Sequence, residues 1–395
     1  MSETMIEKEA KFFFHTFHRL PLEIDRGEGV YLYSKDGKRY IDFFGGLAVN
    51  ALGYNHPRIN AAIEKQIHRY IHISNYFVQD TQVELAEKII QASGFKRVFF
   101  SNSGTEAVEG AMKLARKWGQ KFEKKQLLNL TNSFHGRTMG ALSMTDRPKY
   151  REGYDPFLPN TNSVQFNDVN DLRSKVNDRT LGVILECIQG EGGINVITKE
   201  FANELNVLQQ KHGFLVIADE IQAGVGRTGM FFCFEHIGLH PDIVVIAKAI
   251  GGGLPLGVIL GNERVADVFS YGEHGTTFGG NPVACAAGCA VMEELIQKGL
   301  MKQAGLIGAY IKSKALEMQK EFPSIIKEVR GLGCMLGIDI NRAGQPIVDE
   351  LLNRGLLINC TNTTVLRLLP PYIITQELCD HLMYELRSIL KSIKE

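Results

Sequence analysis

Through the middle of the chain, short unbroken apolar runs alternate with longer stretches in which apolar residues recur with helical spacing. The runs Arg97–Ser101, Gln126–Thr131, Gly182–Ile188, Phe214–Asp219, Ile243–Ala247 and Gly257–Gly261 predict strands. Thr105–Lys121, Lys199–His212 and Pro282–Lys298 predict helices. Strands apolar on both faces, separated by helices, predict an α/β fold with a mostly parallel central sheet and helices on both faces. The flanks read differently. Residues 27–43 place two alternating segments around Lys35-Asp36-Gly37, the pattern of a hairpin. From about residue 310, helical patterns mix with short strands such as Met335–Ile340 and Thr364–Leu368. Chain termini commonly lie close together, so both ends are expected to build one smaller α+β domain. The expected partition is 1–55 and 306–395 for the small domain and 56–305 for the large one.

Composition narrows the function. Lys plus Arg and Asp plus Glu both number 44 in 395 residues, so no global field attracts nucleic acid or an anionic membrane. Any anion must be recognised locally. The seven cysteines form no CxxC pair and no metal-type spacing, which fits reduced thiols in a cytoplasm and predicts no metal site. Met1 to Lys11 is polar with mixed charge, unlike a secretory signal, and no apolar stretch approaches the ~20 residues that span a bilayer. The expectation is a cytoplasmic protein. No internal repeat suggests a solenoid.

Candidate chemistry gathers at the strand ends. Lys248 closes the run Asp242–Ala247, where desolvation lowers an amine's pKa and makes it a nucleophile able to form a Schiff base. Alone, a lysine at a strand end commonly extends its stem to water. Asp219 closes a second apolar run, however. A carboxylate facing a pyridinium nitrogen and a lysine holding an aldehyde are the two protein groups that pyridoxal phosphate requires. The loop Asn102-Ser103-Gly104-Thr105-Glu106 opens a helix after a strand, which suits an anion as well as an ordinary cap; it is neither a Walker A loop nor GxGxxG. Gly275-Thr276-Thr277-Phe278-Gly279-Gly280 before a helix is a second possible anion site.

Phe134 can stack on a flat heteroaromatic ring, and Arg137 offers a fork suited to a carboxylate. His135 between them is not assigned the general base, because Lys248 already moves the proton. Glu186 and Glu191 follow a buried strand, where carboxylates are costly unless paired. Arg367, stopped by Pro370-Pro371, is the distant cation able to pair with them.

Together these motifs resemble the class III, ornithine-type aminotransferases of fold type I, most closely the acetylornithine aminotransferase branch. The resemblance runs from Arg26-Gly27-Glu28-Gly29 through Phe44–Asn50 and Leu52–Pro57 to Arg367 and Pro370-Pro371. It implies pyridoxal 5'-phosphate on Lys248, with Asp219 at the ring nitrogen and Gln222 at the ring hydroxyl. It implies Gly104 and Thr105 at the phosphate, Phe134 stacked on the ring and Glu186 among the cofactor contacts. Thr277 would reach the cofactor phosphate of the other subunit, implying a homodimer with shared sites, and Thr276 would lie near the substrate. Glu191 and Arg367 match the family's switchable pair. Paired they admit a terminal amine; unpaired, Arg367 grips glutamate, while Arg137 binds the far carboxylate. The implied activity moves the terminal amino group of N-acetylornithine to 2-oxoglutarate. Ornithine, succinylornithine, succinyl-diaminopimelate, lysine-pathway carrier-bound and 4-aminobutyrate donors stay open. A superfamily isomerase, an aminomutase or racemase, would need no such switch. The chain departs from the family pattern twice: Phe17 stands where a tyrosine is usual, and Cys187, read as a buried unreactive thiol, replaces a proline.

Overall fold

A computed structural model describes residues 4–394; residues 1–3 and 395 of the expected small domain lie outside the described residues. Its centre is a seven-stranded sheet in the order Arg97–Ser101, Gly257–Gly261, Ile243–Ile246, Leu215–Asp219, Thr180–Leu185, Gln126–Leu130, Thr161–Val164. All neighbours are parallel except around Gly257–Gly261, which runs antiparallel to both of its partners. The four strands from Gly257–Gly261 to Thr180–Leu185 are buried along their whole length, which explains why each reads as one continuous apolar run.

Capping sets the helix limits. Helix Gly104–Gln120 follows Ser103, whose hydroxyl accepts the Glu106 N–H, and Lys199–His212 follows Thr198, whose side chain accepts the Phe201 N–H. Helix Pro282–Ile296 starts with proline at its first turn behind the Asn281 cap and is buried over most of its surface, which suits its Ala- and Cys-rich sequence. Six of the seven free cysteines are buried, among them Cys187.

The two ends of the chain meet in one sheet. Tyr31–Ser34 pairs antiparallel with both Ile24–Glu28 and Arg39–Asp42, and Leu356–Leu357 joins Arg39–Asp42 in parallel. A second sheet is built from Ile326–Leu332, Met335–Ile340, Val365–Leu368 and Asn359–Thr361, with Val365–Leu368 carrying Arg367. Among the described residues no helix is long and apolar enough to cross a membrane.

One predicted strand is divided. Gly182–Ile188 is not continuous: Thr180–Leu185 ends, and Ile188–Gln189 pairs with Asn195–Val196 in a separate two-stranded ribbon. The cause is Glu186. Its carboxylate accepts the N–H groups of Phe134 at 3.0 Å and Gly190 at 3.3 Å, which turns the chain out of the sheet.

Candidate active site

The parallel strands end on one edge of the sheet, so the residues that follow them gather in a single crevice. A cavity of about 440 Å³ lies there, within the ~300–1,000 Å³ range of small-molecule sites. Gly104 and Thr105 line it from the start of the 17-residue helix, where first-turn amides lack intrahelical partners. Phe134 and Arg137 reach it from the loop after Gln126–Leu130. Gly136 in that loop has φ +139°, and a Cβ there would lie 2.7 Å from the Thr105 Cβ. Only glycine lets the loop press so closely on the helix start.

Asp219, Glu186, Gln222 and Lys248 complete the lining. Lys248 has φ +53°, a left-handed conformation that costs a non-glycine residue about 1–3 kcal/mol and that clusters at functional sites. Burial lowers its amine to a pKa of about 8, despite the opposing pull of Glu191, Asp219 and Glu186. This amine therefore gives up its proton far more readily than an ordinary lysine.

The Asp219 carboxylate is held on both oxygens. Oδ2 accepts from His135 Nδ1 at 2.7 Å, and Oδ1 accepts the Ile221 N–H at 3.1 Å. Burial opposes charge on His135, but the hydrogen bond and charge of Asp219 win and raise its pKa above the usual value. His135 Nε2 is buried and has no hydrogen-bond partner among the described residues. Burial pushes the neighbouring Glu186 up to about 7, against the pull of His135. The pairing of His135 with Asp219 is absent from the sequence reading; a histidine beside the ring-stacking Phe134 was its only trace.

Arg367 is 1% exposed on the second small sheet and meets the crevice through Gln222, which lines it. Its Nη1 lies 2.6 Å from Glu191 Oε1, and it also donates to the Gly190 carbonyl at 3.1 Å and to Gln222 Oε1 at 3.3 Å. Nε donates to Asn359 Oδ1 at 3.0 Å. Burial alone would raise Glu191; Arg367 overrides it and holds the carboxyl below its ordinary value. Lys248 lies within the field of both members of the pair.

Five expected residues lie off the cavity wall of their own chain: Glu191 and Arg367, which meet it through Gln222, and Thr276, Thr277 and Phe17. Thr276 is one step removed, accepting at Oγ1 from Asn102 Nδ2 at 3.2 Å, and Asn102 lines the cavity. Thr277 is exposed. Phe17 is 73% exposed, with the Arg19 guanidinium 5.2 Å from its ring centre.

The residues present fit pyridoxal phosphate. A helix start suits its phosphate, a fixed carboxylate its ring nitrogen, an amine of lowered pKa its aldehyde, and Phe134 its flat face. Comparison with known proteins agrees. Residues 14–390 match the model of the family Aminotransferase class-III. The chain is 43% identical to the acetylornithine aminotransferase of Methanocaldococcus jannaschii, covering all of this chain and 99% of the relative. It is 42% identical to that of Aquifex aeolicus, over 96% of this chain and 100% of the relative. Among solved structures, acetylornithine aminotransferase from Elizabethkingia anophelis superposes with a TM-score of 0.88 at 33% identity, covering 98% of each chain. Ornithine aminotransferase from Toxoplasma gondii superposes with a TM-score of 0.94 at 28% identity, over 98% of this chain and 94% of that one. The chain thus belongs to the class III aminotransferases and is a pyridoxal-phosphate-dependent transaminase.

Proposed function

We propose that this enzyme moves the terminal amino group of N-acetylornithine to 2-oxoglutarate, a step of arginine biosynthesis. The reading takes it as a cytoplasmic homodimer with shared sites, divided into a large domain at 56–305 and a small one from 1–55 and 306–395. The name carried by its full-length relatives supports the donor. The observation that carries the reading is the Glu191–Arg367 pair at 2.6 Å beside Lys248.

When bound, pyridoxal phosphate supplies the electron sink for the carbanion formed at the amine-bearing carbon. Lys248 would hold the group covalently, and its amine, when free, would be the base that moves the proton from that carbon. Asp219, fixed by His135, would hold the ring nitrogen, and Gln222 would hold the ring hydroxyl. Glu186 orders the Phe134 loop through the Phe134 N–H. Gly104 and Thr105 would hold the phosphate, Thr277 would reach the same group across the dimer, and Thr276 would lie beside the substrate. Arg137 grips the carboxylate remote from the reacting amine. Phe17 has no hydroxyl with which to bond a substrate carboxylate, so recognition of the remote end rests on Arg137.

One site must accept two amines: a terminal one, then an α-amine beside a carboxylate. With Glu191 paired, Arg367 is neutralised and a terminal amine enters. With Glu191 withdrawn, the Arg367 guanidinium takes glutamate's α-carboxylate. Glu191→Ala leaves that guanidinium open. The variant is expected to slow the N-acetylornithine half-reaction by roughly 10–100-fold, the worth of a hydrogen bond to a charged group, while sparing the glutamate half-reaction. Equal losses in the two separately timed half-reactions rule the switch out.

The donor itself is tested by mixing purified yellow enzyme with N-acetylornithine, succinylornithine, ornithine, 4-aminobutyrate or glutamate, without keto acid, and timing the bleaching. Fast bleaching by N-acetylornithine and glutamate supports the proposal; faster bleaching by ornithine or 4-aminobutyrate replaces the donor. Protonation of Lys248 supplies a second check. Only the neutral amine attacks an aldehyde, so reconstitution of apoenzyme with pyridoxal phosphate should accelerate as pH rises and reach half its maximum near pH 8. A midpoint near the ordinary lysine value of 10.5 contradicts the buried, desolvated amine.

A further inference from the structure

Arg137 lines the cavity, yet among the described residues its guanidinium makes no hydrogen bond or ion pair with the protein. Its position is set by rings. The guanidinium carbon lies 3.7 Å from the ring centre of Tyr150 and 5.5 Å from that of Phe134. Tyr150, half-buried in the short helix Pro148–Arg151, meets Phe134 edge-on, with centres 5.6 Å apart and planes at 77°. The Arg147 guanidinium approaches the same Tyr150 ring at 5.6 Å, and its Nη1 donates to the backbone carbonyl of Glu191.

A guanidinium that must seize a carboxylate needs a fixed direction and free N–H groups. An ion pair within the protein would fix its direction but occupy the donors the substrate needs. A ring face attracts the cation through its quadrupole and leaves every N–H available. We propose that Tyr150 is the positioning residue of Arg137 and thereby sets the enzyme's selectivity for substrates with a carboxylate remote from the reacting amine. The inference rests on the role of Arg137 given above. It also relates the two ends of the substrate, because Tyr150 holds Arg137 on one side and meets Arg147, the anchor of the Glu191 carbonyl, on the other.

The test is the kinetics of the holoenzyme with N-acetylornithine and with glutamate, both of which carry such a carboxylate. Y150L should raise KM for both by a similar factor of about tenfold, the scale of a partly desolvated cation–π contact, with kcat changed by less than about twofold. Y150F keeps the ring and should match the wild type. Added to R137A, Y150L should have no further effect on KM, since it acts through Arg137. Y150Q is the second variant should Y150L unfold at lower temperature, because it removes the ring but keeps a polar side chain. Unchanged KM in Y150L and Y150Q, or a full additional loss on top of R137A, overturns the inference. If R137A itself leaves both KM values unchanged, the role assigned to Arg137 has failed, and the inference falls for that separate reason.

Discussion

Replacing Lys248 with alanine is expected to lower transamination by more than about 10⁴-fold, the upper range for a positioned acid–base group, because covalent attachment is lost with it. The cavity lining offers no substitute. Its other cationic side chains are His135, bonded to Asp219, and Arg137, a guanidinium that does not deprotonate. K248R should be as inactive as K248A for that reason, and a small primary amine supplied in solution should restore part of the K248A rate. Activity in K248A within about a hundredfold of wild type would remove Lys248 from the chemistry. The same substitution has a stability signature. The folded pKa of about 8 lies below the ordinary 10.5, so the fold disfavours the protonated amine. That penalty is fully present below pH 8 and disappears as pH rises towards 10.5. Apo K248M should therefore unfold at a higher temperature than the apo wild type at pH 7, and the gap should narrow on the alkaline side. A gap independent of pH would mean that packing, not charge, accounts for it.

The second large effect is expected at Asp219. D219A should reduce kcat by roughly 10²–10³-fold, as loss of a preorganised electrostatic partner does. Its partner suffers as well. His135 is fully buried and owes its raised pKa to Asp219, so removing the carboxylate leaves an imidazole that must shed its proton or remain an unpaired buried cation. D219A should consequently lose more stability on the acid side, where the carboxylate's stabilisation of a protonated histidine is missing, than on the alkaline side. D219N keeps the shape and a hydrogen-bond acceptor while removing the charge, which separates packing from electrostatics. Half-reaction rates for D219N within tenfold of wild type would show that charge at this position is dispensable.

Much of the fold was legible because its signals are local. Strands Arg97–Ser101, Gly257–Gly261 and Met335–Ile340 and helix Lys199–His212 have the limits expected from their patterns. A buried strand must be continuously apolar, and a capped helix announces its first residue. Strand Thr161–Val164 was not anticipated. It lies on the sheet edge with the sequence Thr-Asn-Ser-Val, where one neighbour and partial exposure remove the need for apolar residues. Gly182–Ile188 read as one strand because hydropathy does not register the bonds by which Glu186 turns the chain.

The sequence alone established an α/β sheet, the strand ends that carry Asp219, Glu186 and Lys248, and a loop at Asn102–Glu106 that opens a helix and suits an anion. Period, capping and burial act over a few residues, so they are written in order along the chain. Only the tertiary structure decided which charges meet. Glu191 and Arg367 are 176 positions apart, and His135 lies 84 positions from Asp219. Arg137 rests on Tyr150 and has no ionic partner among the described residues. These contacts depend on distances across the fold, and the same distances bring Lys248 to about 8 and Glu186 to about 7. Electrostatic coupling and desolvation follow three-dimensional separation and burial, to which spacing along the chain is blind.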